Sequence, residues 1–73
     1  MTVENLKNEV MSAMANKPQN WRNGQFVFNY IDDKYGIARI VQYVDKVDCF
    51  YDDKNIDNFI VHAAKYIDSE NGK

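Results

Sequence analysis

Four groups of side chains in this chain carry residue types that chemistry requires. Asp52 and Asp53, following Tyr51, are adjacent carboxylates of the kind that hold magnesium ions for phosphoryl transfer. That reaction needs a third carboxylate on another element and a fold large enough for template and nucleotide, so helix capping is the better reading of the pair. Asp45, Asp48, Asp52 and Asp53 together supply the oxygens that calcium prefers, but no glycine turn or closing bidentate glutamate accompanies them. A solvated acidic face is expected there instead.

Cys49 and His62 are the types of a nucleophile and its base, or of two metal ligands. Zinc needs more ligands and a thiol protease needs a cleft, so a buried cysteine and a helix-surface histidine are expected. Trp21, Arg22 and Gln25 combine a stacking ring, a cation and an amide, as single-strand binders do. Few cations lie near them, which favours Trp21 as a core anchor and Arg22 as the mate of an aspartate, because a guanidinium fork matches a carboxylate. No catalytic, cofactor-binding or metal-ligating residue is therefore expected, and the chain reads as non-enzymatic.

The elements that would position these groups follow from periodicity. Thr2 is a good N-cap, and Val3, Leu6, Val10, Ala13 and Met14 fall on one side of a helix that stops near Asn16, ahead of Pro18. Ile56, Phe59, Ile60, Ala63 and Ile67 define a closing helix, with Asp52 and Asp53 placed to accept the free N–H groups of its first turn. The middle is ambiguous. Residues 25–31 and 37–44 are rich in β-branched and aromatic side chains, and Asp32-Asp33-Lys34-Tyr35-Gly36 between them could close a hairpin. Yet Trp21, Gly24, Phe28, Ile31 and Tyr35 also form a helical stripe, as do Ile37, Ile40, Val41 and Val44.

Length and charge set the outer bounds. Seventy-three residues make room for one domain, residues 1–73, with a folded surface of roughly 4,700 Å² by size scaling. For so short a chain hydrophobic burial and conformational entropy nearly cancel, so a homo-oligomer or docking on a larger partner is a natural source of further stability. The single cysteine excludes an internal disulfide and points to a reducing compartment, the cytoplasm. Neither a signal sequence nor a membrane-spanning run is visible. A net charge of −2 argues against a partner made of phosphates, and the acidic surplus sits in the second half of the chain.

Arg22-Asn23-Gly24-Gln25 leading into Phe28-Asn29, then Asp48-Cys49-Phe50-Tyr51-Asp52-Asp53 before a closing helix, resembles a pattern in short uncharacterised proteins of bacteriophages, prophages and gut bacteria. The pattern reads R-x-G-Q-x-x-F-N, a spacer, then D-P-F-Y-D-D, with Cys49 standing where proline is common. The resemblance spans about residues 3–67 and implies a compact helical fold. It therefore favours an all-α bundle of three to four short helices over an α+β arrangement with a central hairpin. It implies no activity.

Within that fold the two motifs are expected to form one internal brace, with Arg22 pairing an aspartate of the Asp48–Asp53 segment, Asp48 foremost, Phe50 inserted in the core, and Asp52 or Asp53 capping the last helix. Gln25 and Asn29, one helical turn apart, either cap the Phe50-Tyr51 turn or face solvent. The nine Phe and Tyr rings are too many for one small core. Phe26, Tyr30, Tyr43 and Tyr66, with the acidic pair Asp32-Asp33, are the candidate contact surface for another protein, set against scattered partial burial of the same rings. The reading that follows is a phage- or prophage-associated protein-interaction module in the bacterial cytoplasm. Its rivals are an inhibitor of host defence that binds a target or mimics nucleic-acid charge through Asp32, Asp33, Asp45, Asp48, Asp52, Asp53 and Asp57, and a weak single-strand binder through Trp21, Arg22 and Tyr51.

Overall fold

The computed structural model describes residues 2–71, and side chains for residues 2–67. Thr2 is extended and its Oγ1 accepts the Asn5 N–H at 3.0 Å, which starts helix α1, Val3–Ala13. A 3-10 turn, Met14–Asn16, finishes it, and Lys17 is extended because Pro18 follows. The Lys17 ammonium then donates to the Trp21 carbonyl at 2.7 Å and ties the short loop together.

Helix α2 spans Asn23–Tyr35 and helix α3 Ala38–Tyr43, so the ambiguous middle is helical, and no strand forms among the described residues. Local β propensity loses here to tertiary burial: Gly24, Val27, Phe28 and Ile31, spaced three and four apart, bury one face of α2. Gly36 ends the helix in the left-handed region at φ 71°, its N–H bonding the carbonyls of Asp32 and Ile31. The expected hairpin turn is thus a helix C-cap.

After α3 the chain turns through Lys46, a left-handed residue at φ 62°, and the Val47 N–H reaches back to the Val41 carbonyl at 3.2 Å. An irregular segment leads to a second 3-10 turn, Asp53–Asn55, which Asp52 caps by accepting the Lys54 N–H at 3.0 Å. Helix α4, Ile56–Asn71, follows directly. Packing pairs α1 with α4 and α2 with α3, and α4 touches both α2 and α3. The result is an all-α bundle with an accessible surface of 4666 Å², which matches a globular monomer of its mass.

Leu6 and Val10 of α1, Val27 and Ile31 of α2, Val41 of α3, and Phe59, Ile60 and Ala63 of α4 are fully buried, and Cys49 joins them from the irregular segment. Four expected core positions differ. Trp21 is only half-buried and lies outside the core, because it precedes α2 and is not carried on the helix's inner stripe. Ile40 is 39% exposed and Val44 68%, since α3 is a single short helix that buries only Ala38 and Val41 and ends before Val44. Phe50 is half-buried rather than inserted, and meets Phe28 edge-on at 5.5 Å between ring centroids.

Gly24 and Gly36 make different demands. A Cβ on Gly24 would overlap the Cys49 carbonyl oxygen and crowd Asp53, whereas a Cβ on Gly36 would enter open space and suffer only the left-handed backbone. Gly24→Ala should therefore cost about 3 kcal/mol or more, and Gly36→Ala about 1 kcal/mol, in urea unfolding. Equal losses would show that the α2 start is not pressed against Cys49.

Candidate functional site

The two motifs do meet, though not through an Arg22–Asp48 ion pair. Arg22 Nη2 donates instead to the Phe50 carbonyl at 2.7 Å. Asp48 is already engaged, because its carboxylate accepts the N–H groups of Phe50 and Tyr51 and the Gln42 amide at 2.8 Å. An aspartate two and three residues ahead of free N–H groups satisfies them locally, and the guanidinium takes the carbonyl left over.

Asp53 does not cap α4. Its Oδ1 accepts the Gly24 N–H at 3.0 Å and so caps α2 from 29 residues away, where Arg22 provides no side-chain cap. Asp52 caps the turn before α4, and the Asn55 amide holds the Asp48 carbonyl at 2.9 Å. The Cys49 thiol donates to the Gly24 carbonyl at 3.3 Å. Burial, reinforced by the neighbouring Asp48 charge, pushes that thiol up to about 12, which removes it as a nucleophile at neutral pH. Gln25 makes no hydrogen bond among the described residues, and Asn29 lies elsewhere, so neither caps the Phe50-Tyr51 turn.

Two further carboxylates act as hubs. Glu9 of α1 accepts from the Tyr30 hydroxyl at 2.7 Å, the Tyr35 hydroxyl at 2.9 Å and the Lys34 ammonium at 2.8 Å, which ties α1 to α2. Burial pushes the Glu9 carboxyl up, but the bonds from Lys34, Tyr30 and Tyr35 outweigh it and hold the group below its ordinary value. Asp45 accepts from the Tyr66 hydroxyl and from His62 Nδ1, each at 2.7 Å, and these bonds, Tyr66's foremost, also hold it low. His62 is therefore not a bare surface residue but half of a carboxylate-oriented imidazole. His62 lines neither of the two open depressions described below. Glu9 had a faint signal in the sequence, beside Val10 on the rim of the α1 apolar stripe; Asp45 was marked there only as one of an acidic group, and nothing in the sequence joined it to Tyr66 and His62.

These hubs change the reading of the aromatic surface. Tyr30 and Tyr66 are half-buried with their hydroxyls bonded to Glu9 and Asp45, not freely exposed rings, while Tyr43 is 69% exposed. The six candidate contact residues divide. Phe26, Tyr30, Asp32 and Asp33, joined by Trp21 and Asn29, line one open depression of about 420 Å³ along α2. Tyr43 lies in a second, of about 390 Å³, with Phe28, Arg39, Gln42, Phe50 and Tyr51. Tyr66 borders neither.

The α2 groove is built by helical spacing. Phe26, Asn29, Tyr30 and Asp33 form a stripe two positions out of phase with the buried stripe Gly24, Val27, Phe28 and Ile31, so a single helix presents a core face and a groove face. Phe26 and Tyr30 stack at 5.9 Å between centroids, and Lys34 hangs over Tyr30 at 5.8 Å from its ring centre. Phe26 and Trp21 are half-buried yet pack on no core residue. No group of three or more metal-ligating side chains is present among the described residues, and no helix there is long and apolar enough to cross a membrane. No protein-family model, curated protein or solved structure matches the chain.

Two measurements follow. Because Glu9 and Asp45 bind protons more weakly when folded, their contribution is complete above the ordinary carboxylate range and is lost as pH falls through their folded values. Glu9→Gln should lower the neutral-pH Tm by about 5 °C and flatten the acid side of the Tm–pH profile. A variant with the parent's acid slope would remove Glu9 from that role. A colorimetric thiol reagent should label Cys49 in the native protein only as fast as the chain opens, and rapid labelling at neutral pH would contradict its burial.

Proposed function

We propose that this protein is a small non-enzymatic protein-interaction module that docks its partner in the groove along α2. The observation that carries this reading is the groove itself: Trp21 and Phe26 are large rings, partly withdrawn from water, that contribute nothing to the core. Aromatic side chains of this kind dominate binding energy when a partner finishes covering them. The surrounding polar groups give the groove the apolar centre and polar rim of a small docking site.

The groove favours this reading over the nucleic-acid alternatives. Trp21 lies beside Asp32 and Asp33, whose charge opposes a phosphate backbone, and Tyr51 belongs to the other depression. A phosphate-mimicking row would need its aspartates facing outward together. Asp45, Asp48 and Asp53 are instead directed at internal donors, and Asp57 is paired with Lys7 at 3.3 Å. Association with a phage or prophage, and residence in the bacterial cytoplasm, rest on the resemblance of the Arg22–Asn29 and Asp48–Asp53 motifs.

Affinity capture from host lysate, run in parallel with the parent protein and Phe26→Ala, tests the proposal. Phe26→Ala should keep the parent's helical signal and cooperative melting, yet lower partner affinity by roughly tenfold or more, as truncating an interface anchor does. A partner held equally by both proteins would place docking elsewhere.

A further inference from the structure

We infer that the occupant of the α2 groove is a cationic segment that inserts an arginine side chain between the groove's rings and its carboxylates, an inference that rests on the docking reading above. Asp32 and Asp33 line the groove, and the basic groups near it, Lys17 on the Trp21 carbonyl and Lys34 over the Tyr30 ring, are not part of its lining. Asp33 has no hydrogen bond or ion pair among the described residues, and its neighbours in the groove, the Trp21 indole N–H and the Asn29 side-chain amide, have none either. Asp32 has only Arg39, at 3.9 Å and with that side chain 76% exposed. Asp33 is exposed to water and Asp32 half-buried, whereas the other half-buried carboxylates Glu9, Asp45 and Asp48 are each met by two or more donors.

The position of this acidic pair strengthens the case. Asp32 and Asp33 fall in the last turn of α2, where the negative end of the helix dipole disfavours carboxylates, and neither caps anything with its side chain. They are placed against local stability, which an external cation would repay. The same protein already binds a cation in this manner next to the groove: Lys34 stands 5.8 Å over the Tyr30 ring and 5.5 Å over Tyr35 while its ammonium bonds Glu9.

Arginine suits the groove better than lysine. A flat guanidinium stacks on Trp21 or Phe26 while its fork reaches the Asp33 carboxylate and the Asn29 amide oxygen, whereas an ammonium offers one compact, strongly hydrated charge. Acidic peptides and phosphates would be repelled by the same pair.

The test uses the full chain, with Trp21 as its single indole reporter and amide resonances mapped by NMR. The probes are short Leu-X-Leu peptides in a Gly/Ser frame, with X as arginine, lysine, citrulline, leucine or glutamate. The arginine peptide should quench Trp21, shift the amides of residues 29–33, weaken as salt rises, and bind about tenfold tighter than its uncharged citrulline counterpart. The double variant Asp32→Asn, Asp33→Asn should melt at or above the parent's Tm and lose that tenfold preference. If citrulline or leucine peptides bind the groove as tightly as arginine, the cationic occupant is wrong while docking in the groove stands. If no peptide shifts the groove amides, both readings fall. Concentration-dependent self-association that Phe26→Ala abolishes, without peptide binding, would make the occupant a second copy and overturn the inference.

Discussion

The rest of this small bundle depends on the contact between the start of α2 and the irregular segment ahead of α4. Gly24 lies so close to the Cys49 carbonyl that no side chain fits between them, and the approach is held from both sides. Asp53 accepts the Gly24 N–H, the Cys49 thiol donates a hydrogen bond to the Gly24 carbonyl, and Arg22 donates to the Phe50 carbonyl. These bonds satisfy backbone groups that a helix end and an irregular loop would otherwise leave open. They also fix where α2 begins, and hence which of its faces meets the core.

Two half-buried carboxylates complete the frame at a distance from that contact. Glu9 joins α1 to α2 through two phenols and an ammonium, and Asp45 joins the turn after α3 to α4 through a phenol and an imidazole. A bundle of this size has few apolar contacts to spare, so polar clusters that are fully satisfied add specificity where the core is thin. No buried side-chain polar atom is left unpartnered among the described residues. In the α2 groove, half-buried rings lie beside polar side chains that no other protein group meets.

The out-of-phase stripes of α2 join fold to function. One stripe supplies Val27, Phe28 and Ile31 to the core, while its neighbour supplies Phe26, Asn29, Tyr30 and Asp33 to the groove. Locking the first through Gly24 orients the second. Rigid presentation of a few aromatic and acidic side chains lowers the ordering cost of binding and is what a small docking module requires.

Much of this was legible in the sequence wherever the cause is local. The first and last helices, the Thr2 cap and the Asp52 cap follow from side chains acting on their own turn or from apolar periodicity, and the burial of Cys49 follows from the character of its side chain. The meeting of the two short motifs was legible too, from the match between a guanidinium and a carboxylate, but its atoms were not: charge suggested Arg22 with Asp48, whereas Asp48 is consumed by the N–H groups just beyond it. The middle of the chain carries both a strand-like composition and a helix-like stripe, and only the packing of Val27, Phe28 and Ile31 against the other helices decides between them. Tyr30 and Tyr66 likewise read as surface rings until tertiary structure brings Glu9 and Asp45 to their hydroxyls from 21 residues away. Sequence by itself determined which segments could be helical and which residues were available to bond; the tertiary structure decided which of them met, because a partner that distant is chosen by how the helices pack and not by spacing along the chain.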